Sequence, residues 1–163
     1  MPAINPFEGY IRPRVCGLIV ERERLLLVKI NAPTRREPFW MPPGGGIGFQ
    51  EPAKTAVVRE CAEETGLRVE AGELCFVSEY ISGRWHALEW YFRCKIITEE
   101  THQIPKLGHD PEMQPEDQML EDIAWFTGDE IRNPQHKVFP AFIREYAAEI
   151  LSGQALPLRY CPQ

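Results

Sequence analysis

Gly45-Gly46-Ile47-Gly48-Phe49-Gln50-Glu51-Pro52-Ala53-Lys54-Thr55-Ala56-Val57-Val58-Arg59-Glu60-Cys61-Ala62-Glu63-Glu64-Thr65-Gly66-Leu67 is the stretch on which the reading of this chain turns. Pro52 suits the first turn of a helix, where its missing N–H leaves no bond unmade. Ala53 to Thr65 are good helix formers, and Gly66 stands where a left-handed cap ends the run. A helical residue turns by about 100°, so Glu63 lies about 60° to one side of Glu60 and Glu64 about 40° to the other. Val57, Val58, Cys61 and Ala62 occupy a different sector and can face a core. Three carboxylates therefore share one side of a helix whose other side is apolar. Their repulsion is unfavourable by about a few tenths of a kcal/mol per pair unless a cation offsets it. Glutamate oxygens are hard ligands that suit Mg²⁺ or Mn²⁺. Taken alone, however, three such glutamates more commonly make a solvated acidic face.

The residues around them change that balance. Gly45, Glu51, Arg59, Glu60, Glu63, Glu64, Gly66 and Leu67 follow one spacing: Gly, five residues, Glu, seven residues, Arg-Glu, an apolar residue, any residue, Glu-Glu, any residue, Gly, an apolar residue. On these residues the chain resembles the Nudix hydrolase family. Cys61 is the one departure, standing where an aliphatic residue is usual, and it remains a small hydrophobe suited to burial. The lead-in Trp40…Pro43-Gly44-Gly45-Gly46 is similar to the family's as well.

The resemblance implies an α/β/α sandwich with a mixed central sheet and the motif as a loop–helix–loop. It also implies metal-dependent hydrolysis of a nucleoside diphosphate linked to another moiety. ADP-ribose and nucleotide sugars are the first substrates, and Mg²⁺, with Mn²⁺ as a substitute, is the cofactor. By the family pattern Glu60, Glu63 and Glu64, with Gly45, hold the metal, and Arg59 braces the segment. Glu51 either assists at the metal or pairs with Arg59. The general base is Glu63, Glu64, or an acid of the later loop such as Glu112 or Glu116, with Asp117 a further ligand candidate. Gly44, Gly45 and Gly46 let the backbone turn sharply and approach the phosphates closely. Arg35 and Arg36 are candidates to grip a terminal phosphate or ribose, against the plain alternative of an exposed basic pair. Two other functions stand beside the first: a nucleoside triphosphate pyrophosphatase of the same family, and a nucleotide-sensing module without catalysis. Sensing modules usually lose motif carboxylates, and here all are present.

Working outward, Val15–Val20 and Leu25–Ile30 are apolar runs joined by the charged Glu21-Arg22-Glu23-Arg24, a hairpin without the Asn-Gly turn signal. The glycine- and proline-rich segment 40–46 is expected to form no regular element. Leu74–Tyr80 reads as a strand, and so does Leu88–Ile97. In the latter Leu88, Trp90, Phe92, Cys94 and Ile96 share a core face, which leaves Glu89 and Tyr91 opposite as ligand candidates. Thr98–Asp117 reads as a long polar loop, Ile123–Phe126 as a strand, and Asp129–Arg132 as a helical turn. Phe139 to Ile150 reads as one amphipathic helix ended by Gly153. Strands, helix, strands and helix in that order indicate a mixed α/β sandwich, one domain over 1–163 with its core at about 14–151.

The whole chain sets outer limits. Its 163 residues suffice for a proper core, and a net charge of −6 argues against coating nucleic acid. No apolar run reaches the roughly 20 residues that cross a bilayer, and the N-terminus lacks the pattern of a secretory signal. Five scattered cysteines without a C-x-x-C pair, together with histidines at no helical ligand spacing, favour a reduced cytoplasmic setting over disulfides or zinc. The apolar N-terminal hairpin is a candidate contact surface for a homodimer.

Overall fold

The computed structural model describes residues 8–32, 35–97, 104–111 and 113–163. Strand β1 (Ile11–Glu21) turns into β2 (Arg24–Ile30) through Arg22 and Glu23, whose φ values of 50° and 57° are left-handed. The turn is thus two residues long, of the mirror-image kind that matches strand twist, without the usual Asn-Gly. Next come β3 (Phe39–Met41) and β4 (Gly44–Gly46), so segment 40–46 is regular after all. The expectation failed because glycine carries full backbone bonding capacity: Gly44, Gly45 and Gly46 pair antiparallel with Cys16, Val15 and Arg14. Helix α1 (Ala53–Thr65) starts after Pro52 and ends at Gly66, φ 68°, as expected.

β5 (Val69–Ser82) and β6 (Trp85–Ile96) form a long antiparallel hairpin, both extending beyond the segments expected for them. β7 (Leu120–Phe126) follows, then α2 (Gly128–Arg132), α3 (Ala141–Glu145) and α4 (Ala147–Leu151). Thr127 and Glu130 cap α2 reciprocally. The single helix expected over 139–150 is broken at Tyr146, whose ψ of 18° interrupts the helical run. β8 (Arg159–Pro162), not anticipated, adds a parallel edge strand to β5.

The sheet order is β3-β2-β1-β6-β5-β8, with β4 also on β1 and β7 also on β2. β1 and β2 pair only beside their turn, at Val20↔Leu25 and Glu21↔Arg24. Farther along they diverge: β1 pairs with β4 and, in parallel, with β6, while β2 pairs with β3 and β7. The glycine strand lies in that fork, which places it beside α1.

Helices cover both faces. On one, Val57 and Cys61 of α1 pack against Val15, Ile19, Phe92 and Cys94; on the other, Phe142, Ile143 and Ile150 pack against Leu18, Leu27, Phe76 and Tyr91. β1 is apolar on both sides because both sides are buried, as befits a central strand. The same fact corrects the reading of β6. Tyr91 is fully buried, with its ring edge-on to Phe142 at 4.9 Å, and it is a core residue rather than a ligand contact. The apolar residues of the N-terminal hairpin are interior as well, from Val15 to Ile19 and Leu25 to Val28. No helix among the described residues is long and apolar enough to cross a membrane.

Gly17 sets how closely α1 approaches the sheet. A Cβ there would lie 2.6 Å from Cys61 Sγ and 3.3 Å from Cys94 Sγ. Gly17→Ala should therefore destabilise the fold by about 1–3 kcal/mol in urea unfolding. Adding Cys61→Ala should recover part of that loss, and a strictly additive double mutant would show that helix and strand do not press on each other here.

Candidate functional site

The site is built where α1 meets the glycine strand. Arg59 organises it. Its Nε donates to Glu51 Oε1 at 2.8 Å, its Nη2 to Glu51 Oε2 at 2.9 Å and to the Gly46 carbonyl at 3.1 Å. Its Nη1 donates to Glu60 Oε1 at 2.8 Å and to Glu63 Oε2 at 3.1 Å. One guanidinium thus ties the loop, the helix and the glycine strand together. Of the two roles left open for Glu51, the structure has the pairing with Arg59. Glu51 also accepts the Gly48 N–H at 2.8 Å. The Arg59 hydrogen bonds, then that of Gly48, pull the Glu51 carboxyl down to about 2.

The remaining carboxylates face inward. Glu60 lies against Gly45 so closely that a Cβ on Gly45 would sit 2.5 Å from its carboxyl atoms. Glu64 is only 7% exposed, and its Oε2 accepts the Gly44 N–H at 2.9 Å. Burial raises the Glu64 carboxyl to about 8 against the pull of the Gly44 bond, with Glu60 and Asp110 adding to the rise. Burial also raises Glu60, opposed by Arg59 and reinforced by Glu63 and Asp110. The glycines therefore admit carboxylates as well as backbone turns.

Asp110 is the member that sequence reasoning missed. The loop after β6 docks on the C-terminal end of α1: Lys106 N–H bonds to the Thr65 carbonyl at 2.9 Å and Gly108 N–H to the Glu64 carbonyl at 2.8 Å. The approach at Gly108 is so close that a Cβ would fall 1.7 Å from the Glu63 oxygen. Gln118 then pins the Asp110 backbone, accepting its N–H at 2.7 Å and donating to its carbonyl at 2.8 Å. The available hint was a glycine two residues before an Asp-Pro pair in an otherwise polar loop. Glu116 and Asp117, the loop acids expected at the site, are exposed in a 3₁₀ turn. Glu112 lies outside the described residues.

Arg35 packs its guanidinium among aromatic rings, 3.7 Å from the centre of Phe139, 5.2 Å from Phe39 and 5.6 Å from Tyr80, and Arg36 is exposed. Glu89, expected to face a ligand, is buried. Its Oε2 accepts from Tyr91 Oη at 2.9 Å and Gln163 Nε2 at 3.2 Å, and its Oε1 lies 3.8 Å from Arg14 Nε.

Among the described residues no three acidic, histidine or thiol groups converge as a ready-made metal cage. Arg59 holds Glu60 and Glu63, while Glu64 turns to Gly44. The donor set nevertheless fits a hard divalent cation. Its oxygens are carboxylates, and two of them are held from water against their preference for ionisation, a strain that a bound cation relieves.

The NUDIX domain family matches residues 11–149. A MutT-like protein of Streptomyces ambofaciens is 38% identical over 81 residues, which span 50% of this chain and 49% of that protein. A NUDIX hydrolase from Nitrosomonas europaea superposes with a TM-score of 0.66 at 22% identity, over 94% of this chain and 80% of that one. An ADP-ribose pyrophosphatase from Streptococcus suis gives 0.64 at 17% identity, over 92% and 98%. A UDP-X diphosphatase gives 0.65 at 20%, over 96% and 71%. Structural likeness at such identities speaks for the fold, and the family match, taken with the intact motif around Arg59, speaks for the chemistry. The chain belongs to the NUDIX domain family.

Proposed function

We propose that this enzyme cleaves the pyrophosphate linkage of a nucleoside diphosphate joined to another moiety, with ADP-ribose or a nucleotide sugar as the first substrates to test, within one domain whose core is residues 14–151. The observation that carries the reading is the pair of inward carboxylates, Glu60 and Glu64, lodged against a strand of three glycines. Such a site brings acidic oxygens directly against a backbone that carries no side chains. The family generally uses divalent metal ions. Two structurally similar proteins, an ADP-ribose pyrophosphatase and a UDP-X diphosphatase, support the substrate class.

In this reading Glu60, Glu63 and Glu64 hold Mg²⁺ or Mn²⁺ beside Gly45. The bound cation supplies charge neutralisation on the diphosphate and acidification of a water molecule. Arg59 and Glu51 keep the carboxylates and the glycine strand in register. Gly44 orients Glu64 through its N–H. Asp110 is the acid that the loop contributes, and it joins Glu63 and Glu64 as a candidate to take the proton from the attacking water.

Hydrolysis of ADP-ribose, nucleotide sugars and nucleoside triphosphates, each with Mg²⁺ and with EDTA, tests this directly. Release of nucleoside monophosphate from a diphosphate-linked substrate is expected. Cleavage of triphosphates alone would favour the triphosphate pyrophosphatase, and metal-dependent binding without turnover would favour the sensor.

Glu64 gives a pH signature. Its folded-state value is raised, so folding favours the protonated form. That stability is complete below the ordinary carboxylate range and is lost as pH rises through about 8. In EDTA the thermal midpoint of the wild type should therefore fall between about pH 5 and about pH 8 and level off above that. Glu64→Gln should escape most of that fall while losing roughly 100-fold or more in hydrolysis. Mn²⁺ affinity of the wild type should climb towards about ten-fold per pH unit below that value, as binding displaces one proton. A pH-independent affinity would remove Glu64 from the metal site.

Asp110→Asn should lower kcat by roughly 100-fold. Gly108→Ala, which pushes the loop off α1, should mimic it with the acid still present. Unchanged kcat in both would exclude the loop from the chemistry.

A further inference from the structure

The acidic motif raises a question of charge. A diphosphate approaching Glu60, Glu63, Glu64 and Asp110 needs cationic groups beyond the metal, and each arginine nearby can be judged by how its donors are spent. Arg59 is spent: all three of its nitrogens donate, and they do so at 2.8–3.1 Å. Arg35 is stacked among Phe39, Tyr80 and Phe139.

Arg14 is different. It sits on β1 opposite Gly46 of the glycine strand and level with Glu89 of β6. Its Nε is buried without a hydrogen-bond partner, and Glu89 Oε1 stands 3.8 Å away. Its Nη2 reaches the Gly44 carbonyl only at 3.5 Å, the long limit of a hydrogen bond. Its side chain keeps 21% exposure, so part of it reaches solvent. Leaving a buried donor unsatisfied is unfavourable by about 1–3 kcal/mol, and such a group in a native structure calls for a reason.

Glu89 itself is held firmly on the other side by Tyr91 and Gln163. Arg14 is therefore tethered at its back by a fixed carboxylate and by loose contacts that little energy is needed to exchange. Gly44, which it touches, also donates to Glu64. Burial opposes the charge on Arg14, but Glu89 leads several neighbours, Glu64 among them, that favour it. A charged guanidinium with unspent hydrogen-bonding capacity thus lies within one residue of the glycines against which Glu60 and Glu64 rest.

We propose that Arg14 is a substrate-binding residue, giving its guanidinium to the diphosphate oxygens beside Gly44 while Glu89 holds it from behind. The proposal rests on the diphosphate reading above and names a residue for it. A planar guanidinium with several donors suits phosphate oxygens better than a point charge does.

The test measures binding apart from turnover. Methylenediphosphonate, a diphosphate mimic that cannot be hydrolysed, is titrated calorimetrically into wild type, Arg14→Met and Arg14→Lys with Mg²⁺ present, and Mn²⁺ is titrated into each without ligand. Arg14→Met should bind the diphosphonate at least ten-fold more weakly and raise KM more than it lowers kcat, with Mn²⁺ affinity held within about two-fold. Arg14→Lys, which keeps the charge and guards against misfolding, should fall between. Wild-type diphosphonate affinity in both variants would overturn the assignment and leave the diphosphate reading intact. An equal loss of Mn²⁺ affinity would overturn it too, making Arg14 a brace acting through Gly44 and Glu64. If the wild type binds Mn²⁺ but no diphosphonate, the diphosphate reading falls, and this assignment with it.

Discussion

The guanidinium of Arg59 is the constraint on which the rest of the site depends. Its planar fork reaches Glu51 with two nitrogens, the Gly46 carbonyl with one of these, and Glu60 and Glu63 with the third. A lysine has one nitrogen at the end of a flexible stem and cannot span a loop, a helix face and a strand at once. The glycine strand has particular need of such a tether, since it has no side chains with which to pack. Its place is set by backbone pairing to β1, by Arg59 at one end, and by the Gly44–Glu64 hydrogen bond at the other.

Around that tether, one short segment holds carboxylates in opposite states. Glu51, near the surface and saturated with donors, is drawn down to about 2, whereas Glu64, shut between helix and sheet, is driven up to about 8. The residue type is the same and the environment decides. Glu51 serves as a permanent anion that fixes Arg59. Glu64 carries its charge reluctantly, so below about pH 8 a bound cation has to displace its proton.

The docking of the 104–111 loop on α1 adds a second level of control. Its backbone bonds to the last helical carbonyls answer the need of any helix C-terminus for donors. That structural need brings Asp110 near enough to Glu60 and Glu64 for its charge to raise both carboxyls. Gly108 makes it feasible, because no larger residue fits over the Glu63 carbonyl.

Much of this is legible in the sequence. The spacing from Gly45 to Leu67 carried the helix, its Gly66 cap, the shared side of Glu60, Glu63 and Glu64 and the family resemblance, because helix periodicity and close glycine approaches are local properties. The mixed sandwich also followed from the order of apolar runs. The glycine strand, Tyr91 in the core, the break at Tyr146, β8 and the place of Asp110 did not follow. Each depends on a partner distant in sequence: β1 for Gly44–Gly46, Phe142 for Tyr91, β5 for β8, and the end of α1 for the loop. Alternation along β6 named a single core face and could not reveal that helices cover both. By itself, then, the sequence determined the reaction family and the carboxylates, through spacing on one helix. Only the tertiary structure decided which carboxylates are buried, which arginine is spent and which acid the loop delivers, because desolvation and hydrogen-bond saturation arise from what long-range packing places around a group.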